Sequence, residues 1–417
     1  MNTIAVIILA AMVLDGAVNI IADILNLRML RTELPAPFQG VYDADRYRKS
    51  QEYLRVNTRF GWVTLAVNLA AILLFWFLGG FPAVDNWVRS FGWGPVPTGL
   101  MYLGILMFLY ALLSQPFSIY ATFVIEERFG FNRTDRKTYL FDLLKGLGLA
   151  VLLGTPVLAG ILAFFEYAGG RAWLYGWIVT VLYMLVVQYI APTWIMPLFN
   201  KFEPLEEGEL QTAILACAES IQFPLTRIYT MDGSKRSRKS NAFFTGFGKN
   251  KRIVLFDTLI RQLTVPELVA VLAHKMGHYK KKHILQGMLL GILQTGFMFF
   301  LLSFVISWPG LFEAFHMAHV SVYAGLVFFG MIFAPLDFFI GLWMRIRSRS
   351  NEYQADRFSA ETTRDPDAMI GALKKLSVQN LSNLLPHPFH VFLNDSPPPV
   401  LKRIQAIEAI RPTIMII

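Results

Sequence analysis

The stretch VPELVAVLAHKMGHYKKKHILQGMLLGILQTGFMFFLLSFVIS, residues 265–307, places two helices of different kinds back to back. The first opens with Pro266 and Glu267. Both suit a first helical turn, because a missing N–H costs nothing there and a carboxylate meets the positive end of the helix dipole. It then reads as an apolar helix through His278. His274 and His278 are four apart and project from one face, as two ligands of a tetrahedral zinc require. Taken alone, that spacing is more commonly two core or surface histidines. From Ile284 the chain becomes an apolar run of the length that crosses a bilayer.

Outward from this stretch the whole chain is apolar. Of 417 residues 55% are hydrophobic and 16% charged, against about a quarter charged in soluble domains. Mean hydropathy is +0.46. The net charge of +9 is expected to sit on cytoplasmic loops, and no aromatic-basic module supports nucleic-acid binding. A lone cysteine, Cys217, excludes a disulfide framework and a thiolate zinc cluster. The N-terminal apolar run lacks a basic leader and contains Asp15 and Asp23, so it reads as a first span rather than a cleaved signal.

Seven spans are expected, over residues 4–27, 60–80, 100–124, 146–166, 172–196, 284–308 and 320–344. The loops between them alternate in charge. The first carries Arg28, Arg31, Arg46, Arg48, Lys49, Arg55 and Arg59, the second only Arg89. The third is basic again and the fourth has only Arg171. The fifth includes Lys235, Arg236, Arg238 and Lys239, the sixth has no Lys or Arg, and Arg345, Arg347 and Arg349 follow the last span. By the positive-inside rule the N-terminus is outside, and the C-terminus and both large polar segments are cytosolic. Asp15, Asn19 and Asp23 stack on one helical face, the pattern of a water-lined interior, whereas Asn68, Gln115, Gln188 and Gln294 are explained by interhelical hydrogen bonds alone.

A third metal ligand should come from another helix. Glu352, in RSRSNEYQADRFSA, is the candidate, with Asp356 one turn on to anchor the second nitrogen of a ligating histidine. The same two acids read equally as an exposed i,i+4 pair beside Arg349 and Arg357. The zinc-protease motif is H-E-x-x-H, and Lys275 stands where its glutamate belongs.

The chain resembles the type I integral-membrane CAAX prenyl protease family, seven-span zinc metallopeptidases. The resemblance runs through YRKSQEYLRVNTRFG at 47–61, IEERFGFNRT at 125–134, SNAFFTGFGKNKRIVLFDTLI at 240–260, LVAVLAHKMGHYKKKH at 268–283, NEYQADRFSA at 351–360 and PHPFHVFLNDSPPPVLKRI at 386–404. It implies a mainly α, polytopic membrane fold, with seven helices around a water-filled chamber and a cytosolic zincin-like domain. It implies one zinc on His274, His278 and Glu352, with Asp356 behind them and Arg403 near the cleft. Asn241, Ala242 and Phe243 would form an edge strand that pairs with substrate backbone. Four segments are expected: spans at 1–196, a polar part with the HKMGH helix at 197–283, spans at 284–345, and a C-terminal part at 346–417 that supplies the third ligand.

Two positions depart from the family. Lys275 replaces the glutamate that takes a proton from the attacking water, and Pro397 stands where a histidine is thought to help bind the reacting carbonyl. His387 and His390 are the only histidines nearby. A lysine with a reference pKa near 10.4 cannot accept that proton at neutral pH, repels the metal, and could draw Glu352 into an ion pair. The expectation is a monomeric multi-pass protein of the bacterial inner membrane or endoplasmic reticulum. Its partners would be the bilayer and a prenylated or membrane-associated peptide, whose C-terminal tripeptide the family removes. The copy itself would be inactive through Lys275, or a pseudo-protease that binds such peptides without cutting. A transporter is disfavoured, since no inverted repeat or broken-helix signature stands out.

Overall fold

A computed structural model describes residues 2–31, 33–245 and 251–414. Positions 246–250 of the quoted 240–260 stretch lie outside the described residues. The first half contains α1 (Thr3–Arg28), α2 (Ala44–Phe77), the short α3 (Gly80–Arg89), α4 (Pro95–Tyr120), α5 (Arg136–Tyr167) and α6 (Ala172–Ile190). Next come β1 (Phe202–Pro204), α7 (Glu209–Ser220), β2 (Leu225–Met231), β3 (Ala242–Thr245), β4 (Lys251–Phe256), α8 (Asp257–Gln262) and α9 (Val265–Lys280). The chain ends with α10 (His283–Val305), α11 (Pro309–Ala314), α12 (Val322–Thr363), α13 (Pro366–Gln379), α14 (Pro388–Asn394) and α15 (Val400–Ile414).

Seven helices among the described residues are long and apolar enough to cross a membrane: α1, α2, α4 with its π-helical extension, α5, α6 with its flanking turns, α10 and α12. Each overlaps one of the seven expected spans. No more than 22% of any apolar window is buried by protein, so most of this surface needs an apolar solvent, and the chain is an integral multi-pass membrane protein. Several of these helices extend well beyond their apolar stretch. α12 continues for 42 residues, through the boundary expected at 345, and carries Glu352 and Asp356 on a polar extension beyond its apolar run.

The polar part is a four-stranded sheet in the order β1-β2-β4-β3. β2 and β4 are parallel; the outer strands are antiparallel. Alternation along the strands sends Ile228, Ala242, Ile253 and Leu255 into one core with Leu268, Leu272 and Met276 of α9. That face fixes α9 on the sheet, and β3 is left at the edge.

Helix α9 starts where the sequence indicates. Thr264 and Glu267 form a reciprocal capping box around Pro266, and Glu267 also takes an ion pair from Lys375 at 2.7 Å. α12 is held closely against α9. Ser359 Oγ donates to the Ala270 carbonyl at 2.6 Å, and a Cβ on Gly277 would come within 3.0 Å of Phe358. Between α9 and α10 the chain turns at Lys282, whose φ of 59° lies in the left-handed region that side chains seldom occupy. The turn returns His283 to the side of His278.

Candidate metal centre

One donor atom from each of His274, His278 and Glu352 lies within 4.8 Å of the others. His274 Nε2 is 3.2 Å from His278 Nε2, and the two carboxylate oxygens of Glu352 lie 3.6 Å from the first and 3.3 Å from the second. The helical spacing of α9 sets the histidine pair; the α9–α12 contact brings in the glutamate.

Behind this triad stands a second row. Asp356 is 1% exposed, with Oδ1 2.8 Å from His274 Nδ1, at an angle outside that of a straight hydrogen bond. Arg403 of α15 grips the same carboxylate from the other side, donating through Nε at 2.7 Å and Nη2 at 2.6 Å, and its Nη2 is 3.5 Å from Glu352. The exposed-pair reading therefore fails. Arg357 pairs instead with Glu361, and Arg349 donates to the carbonyls of Val391 and Asp395.

A neighbour that spacing did not single out is His283. Its Nδ1 is 3.2 Å from His278 Nδ1, and its Nε2 is 3.4 Å from the Gln354 side-chain oxygen. The only sequence signal is the histidine closing the KKKH run, five residues after His278.

These residues fit a zinc ion. Both histidines face the shared point with Nε2, because their Nδ1 atoms are engaged by Asp356 and His283, the outer contacts that normally orient a metal-binding imidazole. Burial pushes the pKa of His274 down despite the nearby Asp356 carboxylate, favouring the neutral ring that metal binding needs. Two imidazoles and a carboxylate leave a fourth tetrahedral position for water or substrate, as catalytic rather than structural zinc sites do.

Lys275 is half-buried beside the triad. Burial lowers its pKa, while Glu352 pulls it back up and Arg403 lowers it further. Among the described residues no ion pair joins Lys275 to Glu352, which faces the two imidazoles and Arg403 instead. Pro397 is exposed in the turn leading to α15. Of the two histidines near it in sequence, His387 caps α14 through Nδ1, and His390 lies between Asp23 and Asp395. On β3, Ala242 faces the α9 core while Asn241, just before the strand, is exposed, and Phe243 points to the opposite face of the sheet.

Residues 23–201 match the family described as CAAX prenyl protease N-terminal, five membrane helices, and residues 204–411 match peptidase family M48. A CAAX prenyl protease 1 homolog of Oryza sativa subsp. japonica is 33% identical over 415 residues, covering 96% of this chain and 96% of that protein. CAAX prenyl protease 1 of Saccharomyces cerevisiae is 32% identical, covering 91% of this chain and 90% of its own. The crystal structure of S. mikatae Ste24p superposes with a TM-score of 0.92 at 30% identity, over 98% of this chain and 100% of that one.

Proposed function

Because this chain belongs to peptidase family M48, as a membrane metallopeptidase of the CAAX prenyl protease group, we propose that it is a zinc endopeptidase with its metal on His274, His278 and Glu352, built to remove the C-terminal tripeptide of prenylated proteins or to cleave other membrane-associated peptides, with hydrolysis in this copy suppressed by Lys275. The observation that carries this reading is the convergence of the three donors beside a lysine in the H-x-x-x-H helix.

Zinc at such a site supplies Lewis acidity toward a scissile carbonyl and lowers the pKa of water. The chain supplies the rest. Asp356 and Arg403 hold the His274 ring, and His283 holds that of His278. The outer edge of β3 offers backbone groups with which an extended peptide could pair, with Asn241, Ala242 and Phe243 as its contact residues. At Lys275 a carboxylate would accept a proton and return it to the leaving amine, help worth about 10²–10⁴ in rate. An ammonium brings a proton already bound, and burial that lowers its pKa is opposed by the Glu352 charge. Pro397 has no donor to offer a developing oxyanion, a loss worth about 10²–10³. The peptide-binding pseudo-protease is the second reading, favoured by the same lysine.

The test is initial cleavage rate on a farnesylated peptide, at matched zinc occupancy, for the parent, Lys275→Glu, Pro397→His and the double variant. Lys275→Glu should raise the rate by about 10²–10⁴ where the base is the only lesion. Partial rescue by Lys275→Glu and fuller rescue by the double variant are expected. A parent as fast as the double variant would show that Lys275 is not inactivating. Zinc and peptide binding by all four variants without cleavage would instead favour the pseudo-protease.

A further inference from the structure

We propose that the isoprenyl chain of the substrate lies in a groove between α10 and α12 that begins at His278. The inference rests on the reading of the substrate as a prenylated peptide. Two cavities abut there. The nearer, of about 280 Å³, has His278, Arg347 and Asn351 at one end and Leu290 and Met344 at the other. The farther, of about 440 Å³, shares Leu290 and Met344 and continues past Phe297, Phe339 and Trp343.

The chemistry of the proposed reaction requires such a junction. When a tripeptide is removed after a prenylated cysteine, the thioether is on the residue at the scissile bond. Its chain must therefore leave the metal centre within the reach of one side chain. The nearer cavity is polar where it meets His278 and apolar where it meets Leu290. Beyond that point the walls are hydrocarbon and aromatic. Their one amide, Gln294, is satisfied by Asp337 at 3.1 Å. Positions 290, 293 and 297 form one stripe on α10, and 339, 343 and 347 one on α12. From 287 to 297 the helix rises about 15 Å, room for several isoprene units in line. Acyl tails of lipid can fill any such groove; this one is set apart by its end at a candidate metal ligand.

Binding tests the assignment without turnover, so Lys275 does not interfere. The full chain, zinc-loaded in lipid nanodiscs, is titrated with one fluorescent C-terminal peptide in unprenylated, geranyl and farnesyl thioether forms. The parent should bind the farnesyl form at least about tenfold more tightly than the unprenylated one, by the burial of its hydrocarbon. Leu290→Trp, at the junction, should bring both prenylated peptides to the unprenylated level. Phe297→Trp, at the distal end, should remove the advantage of farnesyl over geranyl and leave geranyl binding unchanged. Leu182→Trp, on the exposed face of α6, should change neither. Phe297 is 45% exposed, so the distal variant keeps the test alive if Leu290→Trp does not fold. A diazirine-bearing farnesyl peptide should label residues 290–297 and 339–344. A farnesyl preference unaffected by both groove variants, with label elsewhere, overturns the groove while sparing the substrate reading. Equal binding of all three peptides by the parent overturns the substrate reading and the groove with it.

Discussion

Asp356 is held between the Arg403 guanidinium and the His274 imidazole, and nearly complete burial makes this arrangement sensitive to each partner. A buried charge that loses its partner is strongly destabilising, so Arg403 does more than line the cleft. His283 stands in the same relation to His278, but through an imidazole rather than a carboxylate. Removing an outer contact of this type commonly costs about 10–100-fold in metal affinity. His283→Ala should therefore weaken zinc binding by about that factor in a chelator competition, and Glu352→Gln should lower zinc content further. Glu361→Gln, which breaks only the exposed pair with Arg357, should leave zinc binding unchanged. Equal zinc in the Glu352 and Glu361 variants would mean that the third ligand lies elsewhere.

The short helix α14 joins the first span to the C-terminal end of the site. Asn26 of α1 accepts from the backbone N–H of His387 and from the Asn383 amide. His390 Nε2 lies 3.4 Å from Asp23 of α1, and its Nδ1 lies 3.3 Å from Asp395. Arg349 of α12 is the nearby cation, engaged with the carbonyls of Val391 and Asp395. Burial alone would lower the pKa of His390, but Asp395 and Asp23 outweigh it and hold it above the ordinary value. A raised folded pKa gives a stabilisation fully present below the unfolded value of about 6.5 and lost as pH rises through the folded one. Amide exchange in 388–394, corrected for intrinsic rates, should accordingly speed up from pH 6 to pH 8. His390→Gln should flatten that dependence; a parent with no pH dependence would remove the clamp.

At the scale of the whole molecule the basic loops alternate with loops almost free of Lys and Arg, and the positive-inside rule predicts from this that the C-terminus is inside. A reporter fused after Ile417 should be cytosolic and one inserted in 309–319 external; both on one side would sink the arrangement. The seven spans, the H-x-x-x-H spacing and the first turn of α9 at Pro266 and Glu267 were legible in the sequence because each depends on residues within one element, through the 3.6-residue period, first-turn chemistry or a run of apolar side chains. Glu352 and Asp356 were legible as residues but ambiguous as a pair, since their exposure depends on what covers them. Tertiary structure decided that: Gly277 and Ser359 draw α12 onto α9, and Arg403 arrives from 47 residues further on. The His283 contact required the left-handed turn at Lys282, and the groove between α10 and α12 required two spans to meet beside the candidate metal centre. Local periodicity is set by the covalent chain, whereas which faces meet is set by the packing of side chains far apart in sequence, and only the folded molecule fixes it.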